Sequence, residues 1–229
     1  MSEIRENGES SSNGTGYVTL CRPVEGGMTE QEKAEAGFLY NPNVTDEMKR
    51  FRFTIQDAMC EYNKLKPSQV EERRDFLAKI FGKIGKRCNI LPPFRCDYGF
   101  RIEVGENFFA NYNFTVLDGN RISIGDNVWI APNVGIYAAG HPLDVEDRIA
   151  GEEYAFPVTI EDNVWIGGSV SIIGGVTIGK NSVVAAGSVV IRDVPPDTLV
   201  AGNPAKVVRK LTAADKLKYK HAPAETSNP

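Results

Sequence analysis

A six-residue rhythm constrains this chain more than any other feature. Ile160, Ile166, Ile172, Ile178, Val184 and Val190 recur at that interval, and four places after each stand Val164, Val170, Val176, Ser182, Ser188 and Val194. The fillers are Gly, Asp, Asn, Ser and Ala, as in Ile166-Gly-Gly-Ser and Ile178-Gly-Lys-Asn. An α-helix repeats every 3.6 residues and a strand every 2, and strands seldom run beyond about ten, so neither alone supports this period. Short extended pieces separated by turns do. Hexapeptide repetition is the signature of a parallel β-helix, in which each aliphatic side chain stacks on its equivalent in the coil before.

The rest of the chain divides around that repeat. Residues 1–27 are rich in Ser, Glu, Asn and Gly and bury too little apolar surface to order, so a tail is expected. Residues 28–86 read as a helical region. Thr29-Glu-Gln-Glu32 is a capping box that opens a helix ending at Gly37. A second helix runs from about Thr45, with Met48, Phe51, Ile55, Met59 and Tyr62 as its buried stripe, until Pro67 stops it. Ser68-Gln-Val-Glu71 is a further capping box, and Val70, Leu77, Ile80 and Phe81 give a third helix an apolar side as far as Gly82 or Gly85. The β-helix is expected over residues 87–210, with extended structure from near Asn89 and legible hexads from Ile102. Gly119 to Ser123 breaks the phase by two residues. After Ile136 the pattern halts at Gly140-His141-Pro142, and irregular residues follow until Val158, which predicts a loop thrown out of the coil; long loops in compact folds tend to be functional. At about eighteen residues per triangular turn, Ile102 to Val200 supplies roughly five coils. Residues 211–229 carry a short helix from Thr212-Ala-Ala-Asp215 and a loose end.

Composition removes several function classes. With 229 residues, 24% charged, and a net charge of −4, nothing marks nucleic acid or an anionic bilayer as a partner. No run approaches the ~18–20 apolar residues of a membrane span, and the polar first twenty residues do not resemble a secretory signal, so a cytoplasmic protein is expected. Cys21, Cys60, Cys88 and Cys96 show no CxxC spacing, which argues against zinc or a redox pair.

Chemistry has few candidates. His141 stands where the hexads stop, whereas His221 sits in a polar tail. A histidine titrates near neutrality and can take a proton from a hydroxyl when a neighbour fixes its tautomer, so His141 is the candidate base; capping a turn beside Pro142 is the alternative. Trp129 and Trp165 occupy the same outward place in their hexads, which suits a subunit interface or the wall of a ligand site equally. Asp97, Asn111, Asp118 and Glu152 lie on the irregular side of the repeats. Arg192, Lys206, Arg209 and Lys210 could meet phosphates or form a solvated basic face.

The run Ile166-Gly-Gly-Ser-Val-Ser-Ile-Ile-Gly-Gly-Val-Thr-Ile-Gly-Lys-Asn, with Phe108-Phe-Ala-Asn-Tyr-Asn, Ile130-Ala-Pro-Asn-Val and Gly202-Asn-Pro-Ala, resembles the maltose and galactoside O-acetyltransferases, members of the hexapeptide-repeat acyltransferases. The leader Thr29-Glu-Gln-Glu-Lys-Ala-Glu-Ala-Gly and Leu39-Tyr40 extends the likeness, which covers about Thr29 to Leu211. The resemblance implies a mainly β fold, a left-handed parallel β-helix with an N-terminal helical region and a short C-terminal helix, assembled as a homotrimer with active sites between subunits. It matches His141 to the catalytic histidine and Glu152 to a carboxylate in the following loop. Trp165, Asp97 and Asn111 match acceptor-site positions, and Asp118 and Asn41 join them as candidate substrate contacts. For acetyl-CoA, Gly168, Ala186 and Ile191 match main-chain contacts, and Arg192, Lys206 and Arg209 the basic residues near the nucleotide. Two departures stand out: Asn41 or Pro42 replaces an Asp at an acceptor contact, and Gly119 replaces an Asp of the galactoside enzymes.

The expected activity is acetyl-CoA-dependent transfer of acetyl to a sugar hydroxyl, with His141 as general base, no acyl-enzyme and no metal. A zinc hydrase on the same coil would need about three histidines, and only His141 lies in the repeats. A non-catalytic β-helix scaffold and an acetyltransferase for a non-sugar acceptor are the other readings.

Overall fold

The structure, a computed structural model, describes residues 27–218. The expected tail up to residue 26 lies outside the described residues, as do His221 and the rest of the C-terminal end. Three helices come first: α1 (Glu30–Glu35), α2 (Asp46–Tyr62) and α3 (Val70–Leu77). The first capping box is present, Thr29 Oγ1 accepting from the Glu32 N–H at 3.1 Å and Glu32 accepting from the Thr29 N–H at 2.7 Å. Thr45 caps α2, which buries Met48, Ile55, Met59 and Tyr62. Two expectations for α3 fail. Gln69 rather than Ser68 occupies its N-cap and makes no side-chain cap bond, because its Oε1 accepts from the Lys66 N–H in the preceding turn. The helix also stops at Leu77, well before Gly82 or Gly85, because the chain must turn there to enter the first coil, where the Gly82 N–H donates to the Ile102 carbonyl at 3.1 Å.

From Lys83 onward the chain winds into a parallel β-solenoid of about six turns. Its first face stacks Lys83–Ile84, Ile102–Val104, Ile122–Ile124, Val158–Ile160 and Thr177–Ile178. The second stacks Cys88–Ile90, Phe108–Ala110, Trp129–Ile130, Trp165–Ile166, Val183–Val184 and Thr198–Ala201. Phe94–Cys96, Phe114–Leu117, Gly135–Tyr137, Ser171–Ile173 and Val189–Val190 form the third. Extended structure thus begins ahead of Asn89, and the coil beginning at Lys83 precedes the first legible hexad at Ile102.

Turn length explains why those early coils are hard to read. Ile102 stands beside Ile122 and Phe94 beside Phe114, twenty residues on, whereas Thr159 stands beside Thr177, eighteen on. The phase break at Gly119–Ser123 is one instance of a wider corner, and Asp97–Arg101 makes the same corner one coil earlier. The inserted loop is more ordered than expected. Ala139–Gly140 pairs antiparallel with Tyr154–Ala155, and a short helix, α4 (Val145–Ile149), capped by Asp144, crosses the tip.

The hexad residues do what their spacing implies. Every member of the two series from Ile160 to Val194 is at most 4% exposed, including Ser182 and Ser188. Those two serines replace apolar groups by bonding the backbone: Ser182 Oγ donates to the Pro195 carbonyl at 2.8 Å and Ser188 Oγ to that of Ala185 at 2.6 Å. Corners between the first and second faces place Asn107, Asn127, Asn163 and Asn181 at φ between 55 and 61°, a region in which asparagine is tolerated better than most residues. Their amides bond in series down the edge, Asn107 to Asn127 to Asn163 to Asn181 to Asp197, at 2.8–3.0 Å.

Both ends of the solenoid are closed. At the N-terminal end Ile55, Met59, Tyr62 and Leu77 join the solenoid core, and Asn63 exchanges two bonds with the Phe94 backbone, as a preceding coil would. Buried Arg73 fills the same end, reaching the carbonyls of Ile90, Lys66 and Pro67. At the other end a strand absent from the sequence reading, Lys206–Lys210, turns back antiparallel on Thr198–Ala201, and a 3-10 helix, Ala213–Lys218, follows where a helix was expected. Among the described residues no helix is long and apolar enough to cross a membrane.

Because Ile172 is fully buried between neighbouring coils, Ile172→Ala should cost roughly 2–5 kcal/mol in urea unfolding at fixed protomer concentration. Exposed Val208→Ala should stay within about 0.5 kcal/mol of wild type.

Candidate active site

The cleft is built at the wide corner between the third and first faces. Asp118, fully buried, accepts from the backbone N–H groups of Asp97 and Tyr98 at 3.0 Å and of Gly99 at 2.6 Å, tying one corner to the next. Arg101 lies beneath with its guanidinium 4.8 Å from the Tyr98 ring centre and 4.9 Å from that of Phe100. Burial pushes the Asp118 carboxyl above its ordinary value, against the N–H groups and Arg101, which pull it down. Asn120 then fastens two further pieces: its amide donates to the carbonyl of Ala34 in α1 at 2.8 Å and to that of Ala155 in the ribbon at 3.0 Å. Ala34, Tyr40 and Ala155 pack together over that knot.

The ribbon pairs Ala139 with Ala155 and Gly140 with Tyr154, and His141 and Glu153 are the next residues beyond that pairing. His141 Nδ1 lies 3.1 Å from the Glu152 carbonyl oxygen. A carbonyl only accepts, so Nδ1 carries the hydrogen and Nε2 keeps the lone pair of the neutral ring. Nε2 stands 3.9 Å from Glu153 Oε1, and Glu153 Oε2 accepts from the Tyr40 hydroxyl at 3.0 Å. Tyr40 and Glu153 also exchange two backbone bonds, at 2.8 and 3.0 Å. Around this group Arg52, Asp97, Tyr98, Leu117 and Gly119 complete a cavity of about 160 Å³. Burial first, then Asp118, pushes the Asp97 carboxyl up to about 6; Arg52 and Gln56 pull it down and Glu153 pushes it up. Two larger cavities, of about 740 Å³ on the first face and about 620 Å³ between α3 and the second face, lie away from the histidine.

These positions sort the candidates read from sequence. His141 and Asp97 meet in the cleft. Glu152 contributes its carbonyl to His141, and it is the neighbouring Glu153 that presents a carboxylate there. Asp118 does not line the cavity; its oxygens are engaged by three backbone N–H groups of the corner. Asn41 also stands outside it, its Nδ2 donating to the Ala150 carbonyl at the end of α4 and so anchoring the inserted loop to the leader. Gly119 is required by packing, since a Cβ there would lie 2.9 Å from the Tyr40 hydroxyl and 2.8 Å from Ala139 Cβ. Tyr40, Arg52, Tyr98 and Glu153 were not singled out from sequence, and for Glu153 the only signal was its place beside Glu152.

Of the remaining candidates, Asn111, Gly168 and Ala186 occupy another edge, between the second and third faces. Asn111 N–H donates to Ile130, Gly167 N–H to Val184 and Ala185 N–H to Val200, so Asn111, Gly167 and Ala185 lie in one column down that edge, with Gly168 and Ala186 one residue further along it. Trp165 is beside it, 52% exposed and in register with Trp129, which is 57% exposed. Ile191 and Arg192 follow the last third-face strand, and Lys206 and Arg209 sit on the reversed strand, where Arg209 Nη1 bonds Asp215 Oδ2 at 2.9 Å.

Comparison with known proteins covers both the helical leader and the repeats. Residues 157–192 match the bacterial transferase hexapeptide (six repeats) and residues 33–85 the maltose acetyltransferase hexapeptide capping motif. The chain is 42% identical over 192 residues to the galactoside O-acetyltransferase of Escherichia coli, covering 84% of this chain and 94% of that protein. It belongs to the maltose and galactoside O-acetyltransferase family of hexapeptide-repeat proteins. Among solved structures, a maltose O-acetyltransferase from Clostridium difficile superposes with a TM-score of 0.78 at 48% identity, covering 81% of this chain and 98% of that one. A hexapeptide-repeat acetyltransferase from Vibrio cholerae in complex with acetyl coenzyme A gives 0.73 at 44%, covering 81% of this chain and all of the other, 100%. The capping motif coincides with the helices that close the solenoid, and the hexapeptide match with the coils bearing Trp165, Gly168 and Ala186. Among the described residues no cluster of three or more His, Cys, Asp or Glu side chains could hold a metal ion.

Asp97 supplies a pH prediction. Its folded pKa of about 6 lies above the unfolded value near 3.9, so the stability that its proton contributes is complete below about pH 4 and is lost as pH rises through about 6. Asp97→Asn should flatten urea-unfolding stability across that window and leave the variant more stable at pH 7 by roughly 1–2 kcal/mol.

Proposed function

We propose that this protein transfers acetyl from acetyl-CoA to a hydroxyl of a glucose-, maltose- or galactoside-class sugar by direct attack, with His141 as general base. The observation that carries the reading is the bond from Nδ1 to the Glu152 carbonyl, which leaves the Nε2 lone pair at a cleft of hydrogen-bonding groups, Asp97, Arg52 and Glu153. The acceptor hydroxyl gives its proton to Nε2 as its oxygen bonds to the thioester carbon; the carbon–sulfur bond then breaks, and the CoA sulfur takes the proton back. Such help is typically worth 10²–10⁴-fold. Direct transfer is supported by the state of the thiols near the coil: burial pushes Cys88 up to about 12 and Cys96 well above its usual range, so neither offers a thiolate to carry the acetyl.

The active unit in this reading is a homotrimer. One chain carries the base on one edge and Asn111, Trp165, Gly168 and Ala186 on another, and its cavity at His141 is smaller than the ~300–1,000 Å³ of a ligand pocket. Apposing the His141 edge of one copy to the Trp165 edge of the next would join the two halves, and a heterologous contact of this kind closes as a ring. The exposed Trp129 and Trp165, with Leu143 and Ile149 on the inserted loop, supply apolar surface to cover. Acetyl-CoA would run along the Gly168 and Ala186 edge toward Ile191, Arg192 and Lys206. The reading places the protein in the cytoplasm.

The test is thiol release from acetyl-CoA over a panel of sugars. The expected outcome is release stimulated by at least one hexose or glucoside, and a loss of about 10²–10⁴-fold in kcat/KM for His141→Ala. Release no faster with any sugar than with none would overturn the acceptor class, and a fully active His141→Ala would overturn the mechanism. Intersecting initial-velocity lines are expected; parallel lines would mean an acyl-enzyme.

A further inference from the structure

The cavity of about 620 Å³ between α3 and the second face has no part in the proposed reaction, yet its volume falls within the ~300–1,000 Å³ of small-molecule sites. Its floor is a single file of side chains. Asn89 is in register with Phe109, Phe109 with Trp129 and Trp129 with Trp165, so the four hold equivalent places in successive coils. The first three line the cavity, and Trp165, one coil further on, is the indole matched to the acceptor. Neighbouring coils stand about 4.8 Å apart, and Asn111, the other acceptor position on this side, follows Phe109 by two residues, about 7 Å along the strand. The cavity therefore adjoins the acceptor end of the Trp165 edge. Its remaining wall comes from Val70 and Glu71 at the start of α3 and from Lys86 and Arg87 ahead of the second-face strand. Glu71, Lys86 and Arg87 are exposed, so groups of both signs surround an aromatic floor.

We propose that this cavity is a glycan subsite: an oligosaccharide acceptor places its terminal ring at the His141 edge of the next copy and lays its following rings over Trp129 and Phe109, toward α3. The inference rests on the reading that the acceptor is a sugar and that copies meet along the Trp165 edge. A pyranose ring has an apolar face of C–H groups and a rim of hydroxyls. The indole and phenyl faces take the first, while Glu71 accepts from the second and Arg87 and Lys86 donate to it. A small anion is a poorer match. Glu71 lines the same cavity, Arg74 is already paired with Asp75 at 2.7 Å, and the Glu106 carboxylate accepts from the N–H groups of Lys86 and Arg87. The cavity of about 160 Å³ at His141 holds only the reacting end of an acceptor, so chain length is read on the aromatic file. Contacts there are made equally before and during transfer, so they lower the acceptor KM and leave kcat alone.

Acetyl transfer to malto- and cello-oligosaccharides, from the monosaccharide up to the tetrasaccharide, tests this in the full-length protein. In at least one series acceptor kcat/KM should rise about tenfold between monosaccharide and trisaccharide, mainly through KM. Trp129→Ala should remove that gain. Val70→Phe should do the same, because it narrows the cavity from the α3 side and keeps the Trp129 surface for any contact between copies. No gain in either series overturns the proposal, and so does a gain that survives both variants. A phenyl glucoside that gains as much as the trisaccharide also overturns it, since the cavity would then be an aryl site. Binding is followed separately, without acetyl-CoA. The chain has two tryptophans, so Trp165→Phe leaves Trp129 as the sole indole. Its emission should change saturably with the trisaccharide, at about tenfold lower concentration than with the monosaccharide. Unchanged emission in a folded variant overturns the subsite. If the emission responds but no sugar supports turnover, acetyl transfer to sugar has failed and the glycan site stands.

Discussion

Every coil of this solenoid depends on its neighbour for hydrogen bonds. The N–H of Trp129 is satisfied by Val164, that of Trp165 by Ser182, and that of Ala185 by Val200, so no coil can pair its own backbone. A buried unpaired backbone group costs about as much as a lost hydrogen bond, and the stack must therefore continue or be capped. The Asn63 amide and the Arg73 guanidinium supply the bonds of a missing coil at one end, and the reversed strand Lys206–Lys210 does so at the other. Between the ends, residues at positive φ turn the corners and inward aliphatic residues fill the interior.

The candidate site is assembled where that regularity is widened rather than where it is strongest. The twenty-residue coils have two more residues than the eighteen-residue coil that follows the insertion, and those residues widen the corner in which Asp118 collects three N–H groups. That corner holds Asn120, and Asn120 holds both the leader and the ribbon. A histidine on an exposed ribbon would ordinarily wander. Here its tautomer is set by one backbone carbonyl and its surroundings by the leader, so the helical region serves both as the cap of the solenoid and as one wall of the cleft.

Much of this was legible from residue order. The hexads from Ile160 declare a solenoid because buried aliphatics must repeat with the coil, and Thr29 and Thr45 announce helix starts because capping is a local matter. His141 is found because the repeat stops there. What escaped depends on contacts between distant segments. The first coil is masked since its twenty-residue period does not match the hexad template. Ser68 looked like a cap, but the preceding turn claimed Gln69. The choice between Glu152 and Glu153 turns on the ribbon's register, in which a shift of one residue exchanges the two faces. Asp118 and Asn41 carry the polarity of site residues, yet their partners are backbone groups that no spacing rule reveals.

The insertion bearing His141 leaves the third coil and rejoins the fourth with Trp129 still opposite Trp165 and Gly135 opposite Ser171. The coil beneath is indifferent to the length of what is extruded. The ribbon and leader can therefore be lengthened, shortened or exchanged together, while the stack that bears Gly168 and Ala186 stays in register. A scaffold of this kind separates two evolutionary variables, one slow and repetitive, the other free to diverge.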